Sequence, residues 1–294
     1  MKTNTPISSK YKKINRTQEV FHRLSKNKGA MVGFVIVIVC ILCAVLCPVF
    51  IDFDTQIAAI DATQMLQHPS AEHIMGTDQF GRDVFLRLIY GARYSLSVGF
   101  VSVLISLVIG ASLGAIAGYY GGIVDDIIMR LNDMLNAIPG ILLGIIIVAA
   151  LGANTVNLML AIGISTVPSF ARVARASVMT TRNQEYVQAA RAIGLPEWRI
   201  IFLHVLPNCL SQLIVQVTLK IGQSIVNVSS LSFLGLGVPA PAPEWGNMLS
   251  DGRAFIRGYS YMTLYPGLAI MIVVLAFNLL GDGLRDALDP KLKR

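Results

Sequence analysis

The chain has 294 residues, of which 54% are hydrophobic and only 14% are charged, and its formal net charge is +7. Because an ordinary soluble domain has about a quarter charged residues, this composition excludes a soluble globular protein. It predicts an all-α integral membrane protein, in which positive charge is informative through its distribution along the chain.

Six apolar segments are predicted to cross the membrane as helices, since about 20 apolar residues suffice for one crossing. A basic tail, residues 1–29, precedes them, and residues 284–294 form a second tail after them. The predicted transmembrane segments are residues 30–51, 94–118, 136–153, 157–170, 211–233 and 262–280.

The connecting segments are assigned from their polarity. Residues 52–93 are too polar to insert and are predicted to form an extracytoplasmic loop, and residues 119–133 a short polar turn. Pro139 and Pro168 are expected to kink or end the third and fourth spans, because proline removes a helical hydrogen bond. A longer polar loop, residues 171–210, separates the fourth span from the fifth.

The basic residues are unevenly distributed among these segments. Eight of the 24 Lys and Arg residues precede residue 30, five lie between residues 172 and 199, and four follow residue 284. The loops on the other side hold five arginines. Because cytoplasmic loops carry the excess of Lys and Arg, both termini and the loop 171–210 are predicted to lie in the cytoplasm.

Small residues recur every three or four positions along the second span and form one slowly drifting stripe. Such a stripe is typical of membrane helices whose backbones pack closely against a neighbour. Its members are Ser95, Gly99, Ser102, Ser106, Gly110, Gly114 and Gly118.

Polar residues follow the fifth span at the same spacing and share one helical face, which we call the polar stripe. Polar side chains within a membrane are costly and normally face a cavity or a partner. One interpretation is that the stripe lines a translocation path for a polar solute. The other is that it forms hydrogen bonds between helices, with Lys220 reaching an acid such as Asp282. The stripe consists of Gln212, Gln216, Lys220, Gln223, Asn227 and Ser230.

Residues 185–208 are predicted to form two short helices joined by a tight turn, which we call the hairpin. Asn183 is a suitable N-cap for the first helix, and Gly194 lies where helices end in a left-handed residue. The second helix is predicted to run from residue 197 to about residue 205 and to stop at Pro207.

The hairpin is predicted to be a docking element at the cytoplasmic face of the membrane. Ala189 and Ala190 leave almost no side chain on one face of its first helix, so another surface could approach the backbone closely. A DNA-binding interpretation, with Arg191 and Arg199 contacting phosphates, is disfavoured because a hairpin tethered between two spans has little room to enter a groove. No nucleic-acid partner is expected.

The chain lacks the sequence motifs of nucleotide, metal and catalytic sites. It has no G-x-x-x-x-G-K-[ST], H-E-x-x-H or G-x-S-x-G sequence, so it is not expected to be an enzyme or to bind a metal or cofactor of its own. Cys40, Cys43 and Cys47 are interpreted as small buried hydrophobic residues. His68 and His73 are interpreted as a solvated pair rather than as metal ligands.

Four stretches of the chain resemble the second permease subunit of ABC importers of the dipeptide/oligopeptide/nickel group. The hairpin is similar to the coupling motif of importer permeases, with departures at Gln188 and His204. The resemblance runs from about residue 20 onward and includes a transmembrane core at residues 94–283. The other three matching stretches are residues 76–96, 231–249 and 278–290.

This resemblance implies a non-catalytic permease subunit of an ATP-driven, binding-protein-dependent importer of di- and oligopeptides, in the cytoplasmic (inner) membrane of a bacterium or archaeon. It implies a heterodimer with a homologous permease subunit in membrane lipid, together with an extracytoplasmic solute-binding protein. Two cytoplasmic ATPase subunits would bind ATP and Mg²⁺. The residues it implies for ATPase coupling are Glu185, Ala189, Ala190, Arg191, Gly194, Leu206 and Pro207.

Two alternatives remain open at this point. Within the family, the same motifs serve importers of nickel or another small solute, and no substrate pocket can be identified in the sequence. Outside it, an ion-coupled secondary transporter would need buried coupling acids and repeat symmetry, neither of which is evident.

Overall fold

The structure is a computed structural model that describes residues 16–288 of the chain, and within that range it is almost entirely helical. Short helical turns lie at Phe53–Ala58, Ala62–Gln64, Ile200–Val205, Leu206–Cys209 and Arg253–Phe255. The α-helices are α1 (Arg16–Lys26), α2 (Lys28–Phe50), α3 (Val84–Tyr120), α4 (Gly122–Ala137), α5 (Gly140–Leu151), α6 (Thr155–Thr181), α7 (Glu185–Ala192), α8 (Glu197–Arg199), α9 (Leu210–Phe233), α10 (Trp245–Gly252) and α11 (Tyr261–Leu288).

Five helical segments in the described range are long and apolar enough to cross a membrane: α2, α3, α6, Glu197–Phe233 and α11. The remaining predicted span, residues 136–153, corresponds to part of a bent pair, since α4 and α5 meet at 88°. At 1.5 Å per residue, the 12 residues of α5 extend about 18 Å and cannot alone cross a hydrocarbon core of about 30 Å.

The helix bounds differ from the bounds of the predicted loops and tails. The loop 52–93 ends in the first ten residues of α3, which begins where Asp83 accepts a hydrogen bond from the Leu86 amide at 2.9 Å. The supposed turn 119–133 holds most of α4. The tails 1–29 and 284–294 include α1, the start of α2 and the end of α11.

Of the three prolines expected to kink or end helices, Pro139 lies at the break before α5, whereas Pro168 and Pro207 do not end a helix. Pro168 lies inside α6, which continues to Thr181, so the first eleven residues of the predicted loop 171–210 are helical. Pro207 lies in the first turn of the short helix Leu206–Cys209, which leads directly into α9. Proline is tolerated within membrane helices when neighbouring groups satisfy the freed backbone.

The bundle is organised around the contact between α3 and α6, which run parallel. A Cβ atom added to Gly110 would lie 2.6 Å from the Val167 carbonyl oxygen, and one added to Gly118 would lie 2.7 Å from that of Arg175. At Gly114 a Cβ would overlap the Ala171 carbonyl. The part of the predicted small-residue stripe from Ser106 to Gly118 is therefore confirmed as a surface where two backbones touch.

The remaining helices alternate in direction around this pair. Helix α9 is antiparallel to α6, because Gln212 at its start contacts Ser177 near the end of α6. Helix α11 is antiparallel to α9, and α2 is antiparallel to α11, with Gly283 packed on Ala30. The starts of α2 and α9 and the ends of α3, α6 and α11 therefore share one end of the bundle with the hairpin. We call this the hairpin end and the other the distal end.

Two buried carboxylates organise the loops at the distal end. Asp78 accepts hydrogen bonds from the backbone amides of Phe80 at 2.8 Å and Arg82 at 3.0 Å, and from the Arg82 side chain at 2.7 Å. Glu244 caps α10 by accepting from the amides of Gly246 and Asn247. Both loops therefore have a fixed shape.

The contact between α3 and α6 predicts the effect of a single methyl group. In Gly114→Ala the added Cβ meets the backbone of Ala171, so the helices must separate, and we expect destabilisation of about 1–3 kcal/mol. Thermal unfolding of the detergent-solubilised protein measures the loss.

Gly140→Ala is the matched control, because nothing lies within 4 Å of a Cβ at the start of α5. Alanine has the better helix propensity, so this variant should be as stable as the original or slightly more stable. Equal melting temperatures for the two variants would contradict the close backbone contact.

Candidate coupling and translocation sites

The turn of the hairpin has the conformation that its glycine predicts. Gly194 has φ +79°, and its amide donates to the Arg191 carbonyl at 2.9 Å. The next amide, that of Leu195, donates to the Ala190 carbonyl at 3.2 Å. These two bonds close the last turn of α7 as a Schellman motif. At the other end, Gln184 rather than Asn183 precedes α7, and its side chain makes no capping hydrogen bond.

One face of the hairpin packs against the bundle and the other is open. Val187 and Ala190 are buried in a small apolar core with Ile200, Ile201 and Val205. Of the two alanines predicted to receive a partner, Ala190 therefore packs inward, whereas Ala189 lies on the surface.

Large apolar side chains occupy the open face of the hairpin. Ile193 is 76% exposed, Trp198 57% and Leu203 61%. The sequence prediction did not include these residues, although apolar residues within a polar loop could have indicated a docking surface. Exposed large apolar side chains on a membrane-proximal loop are typical of a protein docking site.

A three-residue cluster ties the hairpin to the end of α3. The Tyr119 hydroxyl donates to the Glu197 carboxylate, and the Arg191 guanidinium donates to the Tyr119 oxygen at 3.1 Å. Arg191 also lies 3.7 Å from Glu197 and over the Tyr119 ring. The hydrogen bond to Tyr119 raises the pKa of Arg191. Arg191 thus contacts the bundle within this chain.

A second arginine joins the end of α6 to the end of α3. The Arg182 guanidinium donates to the carbonyl oxygens of Gly118 at 2.8 Å and Tyr119 at 3.1 Å. These are terminal carbonyls of α3, which lack partners within the helix and attract cations. Sequence reasoning missed Tyr119, Arg182 and Glu197, because their partners lie about 60 to 80 residues away.

The other predicted coupling residues lie around this core. Glu185 is exposed in the first turn of α7. A carboxylate at this position stabilises the helix, because the N-terminus of a helix has a partial positive charge. Leu206 packs against the apolar core of the hairpin, and Pro207 is exposed beside it. From Glu197 to Phe233 the chain is one continuous helical segment of 37 residues, so the hairpin is directly connected to the polar stripe.

The polar stripe lies on the less buried face of α9. None of its six residues is buried, whereas Leu213, Ile221, Ile225 and Val228 on the other faces are. The Ser177 hydroxyl donates to the Gln212 side chain, which gives the stripe one bond between helices. Within residues 16–288, Lys220 forms no ion pair with Asp282, so the pairing that the packing interpretation suggested is absent.

A cavity of about 700 Å³ opens beside the stripe at the hairpin end. Gln212 and Gln216 line it from α9, Arg23 from α1, and Arg285 from α11. The part of the stripe nearest the hairpin therefore faces a large polar space.

The bend between α4 and α5 interrupts the helical backbone at Ile138 and Pro139. Residues 136–140 are all exposed in this single chain, and Pro139 lies at the break. Irregular backbone at membrane depth requires protein or water around it, because lipid cannot satisfy its polar groups. The bend is therefore a second open surface of this chain, in addition to the less buried face of α9.

The two loop histidines occupy separate environments and do not form the expected solvated pair. His73 lies 2.8 Å from the Asp83 carboxylate and 3.1 Å from the Gln64 side chain. His68 stacks on Tyr259 with ring centroids 5.0 Å apart. No group of three potential metal-ligating side chains was found among residues 16–288.

Two family profiles match the chain. The profile for binding-protein-dependent transport system inner membrane components matches residues 110–294, and the profile for the N-terminal transmembrane domain of oligopeptide transport permease C matches residues 15–69.

Individual relatives cover most of the chain. It is 49% identical over 288 residues to the dipeptide transport system permease protein DppC of Alkalihalophilus pseudofirmus, covering 98% of this chain and 94% of that one. It is 45% identical to the glutathione transport system permease protein GsiD of Pectobacterium atrosepticum, covering 79% of this chain and 77% of that one.

Among solved structures, an inward-facing conformation of the MetNI methionine ABC transporter has a TM-score of 0.55 at 18% identity. The match covers 68% of this chain and 96% of that chain, and it shows that the fold is shared. Together with the profile that matches more than half of the sequence, these comparisons identify the chain as a member of the inner-membrane permease components of binding-protein-dependent ABC importers.

Proposed function

We propose that this chain is one of two homologous permease subunits of an importer of di- and oligopeptides, driven by two cytoplasmic ATPase subunits that bind ATP and Mg²⁺. The relative that is 49% identical over nearly the whole chain is named for dipeptide transport, and another is named for glutathione, itself a short peptide. These names favour peptides over nickel. Membership in a binding-protein-dependent family replaces the ion-coupled transporter considered from the sequence.

The observation that carries this proposal is the attachment of the hairpin. Its open apolar face, around Trp198, offers a docking surface to an ATPase subunit. Its inner face is bonded to α3 through Tyr119 and Glu197, and its second half continues into α9. A displacement of the hairpin is therefore transmitted to the two helices that carry the packing stripe and the polar stripe, as expected of a rigid-body switch.

We further propose that the hairpin end faces the cytoplasm and that the path for the solute follows the polar stripe. Arg130, Arg172, Arg175, Arg182 and Arg285 cluster at the hairpin end, in agreement with the positive-inside rule. The exposed bend at 136–140 and the less buried face of α9 are the surfaces that a homologous permease subunit and a hydrated path would cover.

Gly194 tests the coupling role. In Gly194→Val a β-branched residue must adopt φ +79°, at a cost of about 1–2 kcal/mol, and the hairpin turn should distort. We expect the assembled complex in proteoliposomes to hydrolyse ATP but to lose most of its peptide uptake.

Gly194→Asn is the matched control, because asparagine tolerates the left-handed region and nothing lies within 4 Å of a Cβ there. It should retain near-normal uptake per ATP hydrolysed. Normal coupling in the valine variant would count against the hairpin as the coupling element.

Cysteine labelling tests the orientation. With the four native cysteines replaced, Asn183→Cys beside the hairpin should react with a membrane-impermeant maleimide only after permeabilisation, and Glu72→Cys should react in intact cells. Both positions are exposed, so reactivity reports sidedness rather than burial. Labelling of position 183 in intact cells would reverse the proposed topology.

Gln216 tests the path. In Gln216→Leu the cavity wall loses an amide that makes no hydrogen bond among the described residues, so assembly should be unchanged while peptide uptake falls. Gln216→Asn keeps the amide and should retain more uptake. Co-purification with the partner subunits checks assembly, and loss of assembly in the leucine variant would assign the stripe to packing instead.

A further inference from the structure

A second cavity, of about 340 Å³, lies at the distal end, and we call it the Arg82 cavity. Its walls come from the loop before α3, the loop after α9 and helix α10. Helix α3 has 37 residues and extends about 55 Å between this end and the hairpin. The Arg82 cavity is therefore separate from the coupling site and from the cavity beside Gln216.

Arg82 lines this cavity with hydrogen-bond donors that are largely unused. The residue is 6% exposed, and its Nε donates to the Asp78 carboxylate at 2.7 Å while its guanidinium lies over the Phe80 ring. Its terminal nitrogens make no hydrogen bond within residues 16–288, and the Asp251 carboxylate lies 4.0 Å from one of them. A guanidinium has five N–H donors, so the outer edge of the Arg82 fork is open.

A residue with a buried, unpartnered hydroxyl lines the same cavity. Ser232 is 1% exposed, and its Oγ has no hydrogen-bond partner in the described part of the chain. A buried hydroxyl normally finds a partner, because an unmet hydrogen bond costs free energy. Arg87 also lines the cavity, but it donates to the carbonyl oxygens of Ile57 at 2.8 Å and Pro241 at 3.4 Å.

We propose that the Arg82 cavity binds the terminal carboxylate of a short peptide before translocation, an inference that depends on the proposed function. An open guanidinium edge pairs with a carboxylate through two parallel hydrogen bonds. The Ser232 hydroxyl supplies a further donor. Asp251, with a side chain 44% exposed, lies on the cavity wall, where the ammonium group of the same peptide would find a counter-ion.

The shape of the site favours a small solute over a protein surface. Arg82 and Ser232 are buried in the walls of a concavity, so only a group that enters the cavity can reach them. Its volume is at the small end of ligand sites, which range over about 300–1,000 Å³. The positive charges of Arg82 and Arg87 are balanced by the negative charges of Asp78 and Asp251. A site with no net charge matches a zwitterionic peptide, which also has none.

The test uses the complete complex of permease and ATPase subunits in nanodiscs, without the external binding protein. Saturation-transfer NMR compares the dipeptide Ala-Ala with its C-terminal amide. We expect Ala-Ala to bind and the amide to bind about tenfold more weakly, because the charge-assisted hydrogen bonds are lost.

Two variants locate the binding in this cavity. Ser232→Ala removes no hydrogen bond from the fold and should weaken Ala-Ala binding by about two- to tenfold. Arg82→Lys keeps the charge beside Asp78 but loses the planar fork, and it should weaken binding about tenfold. Arg257→Gln, at an exposed arginine of the same end, is the control and should bind as the original does.

Equal binding of the amide, unchanged binding in both folded variants, or no binding of Ala-Ala to the original complex would each overturn the proposal. A second titration, of the external binding protein onto the same nanodiscs, would overturn it if the variants weaken only that protein's binding, because the occupant would then be an acidic side chain of that protein. Uptake of Ala-Ala by the original complex with its binding protein tests the proposed function separately.

Discussion

The backbone contact between α3 and α6 is the constraint on which the rest of the structure depends. Gly110, Gly114 and Gly118 bring the main chain of α3 against the carbonyl groups of α6, and the Ser106 hydroxyl donates to the Gly163 carbonyl at 2.6 Å. No flexible side chain lies between the two helices at these positions. They are therefore expected to move together rather than to slide past each other.

The two ends of α3 lie at two different candidate sites. At the hairpin end, Arg182 holds the terminal carbonyls of α3, and Tyr119 reaches the carboxylate of Glu197. At the distal end, Asp83 begins the helix, and Arg82 just before it lines a polar cavity. One stiff element thus spans from the surface where an ATPase would act to the surface where a solute would enter.

The features that the sequence predicts well are local ones. Apolar runs locate the spans, and Gly194 marks the hairpin turn, because each depends on a few consecutive residues. The stripe from Ser95 to Gly118 is also local, since helical spacing alone places its members on one face.

The features that were missed depend on partners distant in the sequence. Helix α4 was expected to be a polar turn, yet Asp125 forms paired hydrogen bonds of 2.5 Å with Arg175, fifty residues later. The chain likewise stays helical through Pro168 and Pro207 because neighbouring helices pack against it, and residue propensities do not include such packing. The Arg82 cavity joins three segments, and its open guanidinium edge becomes visible only once they are assembled.

The short length of α5 has a consequence for the life of the protein in the cell. Near its first residues the chain exposes backbone that is not fully helical. Lipid acyl chains cannot form hydrogen bonds with exposed peptide groups. A copy of this chain without a partner over the bend would draw water or lipid headgroups into the hydrocarbon core. With the second permease subunit that we propose, synthesis of the two chains would therefore have to be matched, and surplus copies would be substrates for membrane proteolysis.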